Sequence, residues 1–233
     1  MTFMNIISGD SWGIGEWGDS PDTNDTILTG PGIVQYFNLN SGVVSLSQGG
    51  WGNQQSVAYL AEFLNKFKPD LQDVFYFIVT DPCRDPNCFD NLSCGIEQAI
   101  RTTIDEALNK LNILAMAHSI RVNLIGGICD LDTVDISAYK HLTILVPSWG
   151  SLLDTEYAPS IFWSDGLRKL ELAHVARPEL KEEWVNIVDL SIKKRKCFDR
   201  WRETGWSADG AHPSRQGHRV LRDFLFPGFE HKI

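Results

Sequence analysis

Near one end of the 233-residue chain, Gly9-Asp10-Ser11-Trp12-Gly13 sets a serine among small, turn-forming residues directly after an apolar run. A hydroxyl displayed on such a turn is a potential nucleophile, although Gly, Asp and Ser also build ordinary turns. Near the other end, Asp209-Gly210-Ala211-His212-Pro213-Ser214 spaces a carboxylate and an imidazole three residues apart. In that spacing the acid can fix the imidazole tautomer, which leaves the other ring nitrogen to accept a proton. The plainer reading is the start of a helix, with Ser214 as N-cap and His212 merely ahead of it. Each stretch alone is a weak signal. Acyl chemistry needs both at one place, so the elements between them must bring the two ends of the sequence together.

Those elements alternate. Apolar runs at 3–7, 43–46, 74–79, 121–125 and 141–146 read as strands, the third of them (Val-Phe-Tyr-Phe-Ile-Val) as a central one. Helical spacing of apolar residues marks 54–67 and 96–117. A short helix is expected over 31–39, and longer ones over 160–175, 179–194 and 214–225. Strands separated by helices require crossover connections, which place the strands parallel with helices on both faces. The expected fold is therefore a three-layer α/β domain around a mostly parallel sheet of five strands, spanning residues 1–233 as one unit. Ser11 falls just beyond the carboxyl end of the first strand, where such sheets bind ligands.

A serine after the first strand, joined to an Asp-x-x-His ahead of the last helix, resembles the SGNH, or GDSL-type, hydrolases over nearly the whole chain. The resemblance implies a flavodoxin-like α/β/α sandwich and a serine esterase that needs neither cofactor nor metal. It makes Ser11 the nucleophile, His212 the general base and acid, and Asp209 the residue that orients His212. The family places an oxyanion-hole glycine after its second strand. Here Gly49-Gly50-Trp51-Gly52-Asn53 stands at that point, with Gly50 the expected donor and Gly49 its neighbour. The usual third block, Gly-x-Asn-Asp, is replaced by Val79-Thr80-Asp81, which sets Thr80 where the asparagine stands. Either the Thr80 hydroxyl donates to the oxyanion, together with the N–H of Ser11, or Asn53 stands in. A subset of the family with Gly-Gly-x-x-Asn and Thr-x-x-x-Arg blocks fits better. On that likeness Arg84 sits at the rim and binds a substrate carboxylate or sulfate, unless it pairs with a loop acid such as Asp85.

Composition narrows the partners. With 43% hydrophobic residues the chain is too apolar to be disordered throughout. With 21 Lys and Arg against 30 Asp and Glu, a net charge of −9 argues against nucleic acid. No apolar run approaches the roughly 20 residues that span a bilayer, and the start lacks the basic and apolar parts of a secretion signal. The expected setting is the cytoplasm, with a phage particle or a non-standard export route as compatible alternatives. Five cysteines is an odd count, against a disulfide framework, and Cys83, Cys88 and Cys94 are poorly spaced for zinc. Trp12, Trp17, Trp51 and Trp149 fall near the loops that would line a site, as stacking surfaces for a sugar or as packing. The expected substrate is a small-molecule or carbohydrate ester. An acyltransferase using the same triad and a non-catalytic carbohydrate-binding or structural module are the rival readings.

Overall fold

β-branched and aromatic runs form the strands, and their alternation decides the layers. In the computed structural model, which describes residues 3–19, 26–30, 33–34, 42–88, 95–127, 129–132, 134–153, 179, 182 and 212–227, the strands are β1 (Met4–Ser8), β2 (Glu16–Asp19), β3 (Thr26–Gly30), β4 (Gly42–Ser45), β5 (Val74–Val79), β6 (Val122–Gly126) and β7 (Leu142–Val146). Five of them make one parallel sheet in the order β4-β1-β5-β6-β7. That is the doubly wound order in which the first strand lies inside the sheet and the winding reverses beside it. The reversal falls between β1 and β5, which pair Ser8 with Phe77. The loops leaving these two strands part at their carboxyl ends, where such sheets bind ligands.

Side chains along β1 and β5 point alternately to two cores. Ile6, Phe75, Phe77 and Val79 join the face covered by α1 (Asn53–Lys66) and α2 (Ile96–Ala117). Ile7 and Ile78 join the opposite face with Trp149 and Leu153 of α3 (Trp149–Leu153) and Leu221 of α4 (Arg215–Leu225). In α1, Val57, Leu60 and Leu64 are buried at helical spacing. The Gly52 N–H donates to Gln55 Oε1 at 3.1 Å to close its first turn. The helix ends ahead of Pro69, as proline requires.

The five strands and the helices at 53–66, 96–117 and 215–225 follow the sequence expectation within a residue or two. The antiparallel β2–β3 hairpin does not. Both strands are short and carry Gly, Asp or Thr, so they lack the apolar run that marks the main sheet. Helix α3 is also additional: it is a five-residue turn directly after β7. The expected helix at 31–39 is described only at Ile33 and Val34, which are helical. Those at 160–175 and 179–194 lie outside the described residues, save positions 179 and 182. Among the described residues no helix is long and apolar enough to cross a membrane.

Candidate active site

The chain leaves β1 through Gly9, whose φ of +152° suits glycine. A side chain here would also set its Cβ 2.8 Å from Ile78 Cβ on the neighbouring strand. Glycine thus lets the chain turn hard against β5 and enter a 3-10 turn, Ser11–Gly13. Asp10 caps that turn: its Oδ1 accepts the Trp12 N–H at 3.1 Å. The Trp12 indole is sunk into the core at 1% exposure, and Ser11 lies buried beside it. The turn is thus fixed from both sides, by a carboxylate cap and by a buried ring.

His212 comes from the far end of the sequence, two residues ahead of the Ser214 N-cap, whose hydroxyl accepts the Gly217 N–H at 3.4 Å. Its Nε2 lies 2.9 Å from Ser11 Oγ, across 201 residues of chain. This is the distance at which a serine O–H donates to an imidazole that can take its proton. Asp209 lies outside the described residues.

What holds α4, and with it His212, in place is a second histidine. His218 is wholly buried. Its Nδ1 accepts the Ile33 N–H at 2.9 Å, so Nε2 carries the proton and donates to the Gly15 carbonyl at 2.8 Å. Burial pushes its pKa down from 6.5 to about 3, against a smaller opposing pull from Gly15. The neutral ring thereby ties α4 to the backbone just downstream of Ser11. Trp149 adds a second tie: its Nε1–H donates to the Gly217 carbonyl at 3.2 Å. The same indole meets His218 edge-on at 4.9 Å and Trp12 at 5.2 Å. In the sequence, His218 stands inside the last helical stretch. Its one visible signal is its place in α4, one turn beyond the Ser214 N-cap.

Two further expected site residues, Thr80 and Arg84, meet at Asp10. Thr80, at the end of β5, donates its hydroxyl to Asp10 Oδ2 at 2.5 Å. Arg84, on the 3-10 turn Pro82–Arg84, reaches the same oxygen with one terminal guanidinium nitrogen at 3.0 Å. Its ion pair thus goes to Asp10, 74 residues away, and not to the adjacent Asp85, whose Oδ1 accepts the Gln54 N–H at 2.8 Å. Asn53 faces the Thr80 backbone, donating to its carbonyl at 3.0 Å and accepting its N–H at 2.9 Å. The hydroxyl proton of Thr80 and the carboxamide of Asn53 are therefore directed at the protein. Asp10, which the sequence shows only as a turn residue, is the hub of this network.

Gly50 sits on an exposed turn at φ +77°, with open space where a Cβ would project. Its backbone is approachable as an oxyanion donor must be. Gly49 precedes it, also exposed. Trp51 is half-buried and stacks edge-to-face on Tyr59 of α1 at 5.2 Å. Trp12 and Trp149 belong to the core, not to a sugar-stacking surface, and the Trp17 side chain lies outside the described residues. Cys83, Cys88 and Cys129 are buried thiols. The Cys83–Cys88 hydrogen bond pushes Cys83 up and Cys88 down, while burial pushes Cys129 up to about 12. No three His, Cys, Asp or Glu side chains converge to hold a metal ion among the described residues.

Fold and site together define a doubly wound α/β protein with a hydrogen-bonded serine–histidine pair at its switch point. No protein-family model and no curated protein matches the chain. Among solved structures, it is similar to a lipase/acylhydrolase from Enterococcus faecalis at 15% identity and a TM-score of 0.42, covering 96% of this chain and 93% of that one. It is similar to a member of the lipolytic G-D-S-L family from Veillonella parvula at 12% identity and a TM-score of 0.45, covering 97% and 98%. It is also similar to the lipase Lip_vut3 from a goat rumen metagenome at 13% identity and a TM-score of 0.38, covering 96% of each chain.

Proposed function

We propose that the chain is a serine esterase of the SGNH/GDSL type. The observation that carries this reading is the 2.9 Å contact between Ser11 Oγ and His212 Nε2, placed at the reversal between β1 and β5. Ser11 attacks an ester carbonyl while His212 takes its proton. The tetrahedral oxyanion is held by the backbone N–H groups of Ser11 and Gly50. His212 then protonates the departing alcohol, and an acyl-enzyme remains. Water activated by the same imidazole releases the acid and restores Ser11. Asp209 orients the imidazole. A small O-acyl group on a carbohydrate is the proposed substrate, and an acyltransferase would differ only in the acceptor that replaces water.

The test uses p-nitrophenyl acetate and a fluorophosphonate probe. The expected result is labelling at Ser11 and a loss of about 10³-fold or more in hydrolysis on Ser11→Ala. Equal hydrolysis by wild type and Ser11→Ala, with Ser11 unlabelled, sinks the reading. One observation favours a non-catalytic carbohydrate-binding module on the same fold: the Thr80 hydroxyl and the Asn53 carboxamide are both turned onto protein atoms. The same assay decides between the two.

A further inference from the structure

Asp10 immediately precedes the nucleophile and is 1% exposed. Its Oδ1 receives the Trp12 N–H. Its Oδ2 receives the Thr80 hydroxyl at 2.5 Å and the Arg84 guanidinium at 3.0 Å. The same Arg84 nitrogen lies 3.5 Å from Thr80 Oγ1, so the three groups form one closed cluster. A buried carboxylate next to a serine raises an electrostatic difficulty. Attack by Ser11 places a second negative charge on the substrate oxygen, close to the first, in surroundings that screen poorly. Hydrogen bonds from Thr80 and Trp12 spread the Asp10 charge without cancelling it. Arg84 is the cation that cancels it, and its side chain remains 17% exposed.

We infer that Arg84 is a positioning residue for the nucleophile: bound to Asp10, it neutralises the carboxylate beside Ser11 and holds the Asp10–Thr80 pair that fixes the Ser11 turn. This rests on the esterase reading and assigns Arg84 a task separate from binding a substrate anion. The topology makes it possible. The turns leaving β1 and β5 are adjacent because those strands pair, so a residue four positions past Thr80 can reach a residue two positions past Ser8. Arg84 meets Asp10 through a single nitrogen. A lysine can therefore supply the charge in part, which a two-pronged arginine contact would not allow.

The test measures kcat and KM on p-nitrophenyl acetate, a neutral ester with no anion for Arg84 to bind. It compares wild type, Arg84→Met, Arg84→Lys and the double variant Asp10→Asn/Arg84→Met, with circular dichroism to check folding. Arg84→Met is expected to lower kcat about 10- to 100-fold with KM within about twofold, the mark of stabilisation lost only in the transition state. Arg84→Lys is expected to recover part of that loss. The double variant, in which charge is removed from both partners, is expected to be about tenfold faster than Arg84→Met. A purely structural role predicts the reverse, because two damaged contacts are worse than one. An Arg84→Met enzyme with wild-type kcat, a change confined to KM, or a double variant no faster than the single one overturns the inference. If Arg84→Met does not fold, the other two variants carry the test. A double variant or a lysine variant within about tenfold of wild type supports the inference, and inactivity of both in folded protein overturns it. A wild type that is inert and unlabelled at Ser11 overturns the esterase reading and this inference with it. A labelled wild type with an unaffected Arg84→Met variant overturns the inference alone.

Discussion

On the sheet face covered by α1 and α2, Phe75, Phe77, Leu108 and Leu111 meet mainly through aliphatic and phenyl carbon. On the face covered by α3 and α4, Trp12, Trp149 and His218 meet edge-on, and the polar atoms of Trp149 and His218 bond to backbone. The first kind of packing is non-directional and tolerates small shifts of a helix. The second is directional: ring edges and N–H vectors fix angle as well as distance. The second face carries His212, since α4 begins just after it. The contrast separates what holds the protein folded from what holds the serine–histidine pair in register.

The sharpest way to break that contrast is His218→Leu. It leaves the Gly15 carbonyl and the Ile33 N–H without their ring partner, and it releases α4 from the Ser11 segment. The expected result is a fall in kcat/KM on p-nitrophenyl acetate of about 10²-fold, comparable with losing a positioned catalytic contact, in protein that is still folded by circular dichroism. Leu108→Ala on the opposite face should do the opposite. A stability loss of about 2–5 kcal/mol in urea melts is expected, with kcat within about twofold of wild type. If Leu108→Ala damages kcat as much as His218→Leu, the division of labour between the faces fails.

Acid supplies a subtler probe. The unfolded chain protonates a histidine near pH 6.5, whereas folded His218 resists protonation down to about 3. The unfolded state therefore binds the extra proton between those values. The stabilisation from His218 is complete above pH 6.5 and is withdrawn as pH falls towards 3, by up to about 1.4 kcal/mol per pH unit. Urea melts from pH 7 to pH 5 should show this slope in wild type and lose it in His218→Gln. The smallest effect is expected from Trp149→Phe, which keeps a ring but deletes the bond to the Gly217 carbonyl. A loss of about 1 kcal/mol by urea melt is expected. A larger fall in kcat than in stability would sharpen the case that this bond sets the angle of α4.

Much of this was legible in the residues themselves. Val74 to Val79 could only be a buried strand, the apolar spacing of Ile96, Ile100, Ile104 and Leu108 could only be a helix face, and Ser214 stood at its N-cap position. The Ser11 and His212 stretches were visible because turn and cap residues flank them. The partner of Arg84 was not legible. Local reasoning offers Asp85, the next residue, but the sheet order sets the Asp10 carboxylate against the guanidinium, and sequence distance carries no information about that. The partner of Asn53 is hidden in the same way, since its carboxamide matches the backbone of Thr80 only once α1 docks against β5. Trp12 and Trp149 look like loop aromatics in the sequence and are core residues in the fold. Their burial depends on α3 and α4 closing over one face, which no local pattern announces.

The contact between Ser11 and His212 also bears on when the protein becomes competent. It joins positions 201 residues apart, a separation that places it among the last contacts to form, because closing so long a loop is entropically costly until the intervening sheet has condensed. During synthesis Ser11 emerges early and His212 late, so the nascent chain carries a serine without its histidine partner until α4 docks. On the proposed esterase reading, reactivity at Ser11 is a readout of completed folding, and the rate at which it appears after refolding times the closure of the α3–α4 face.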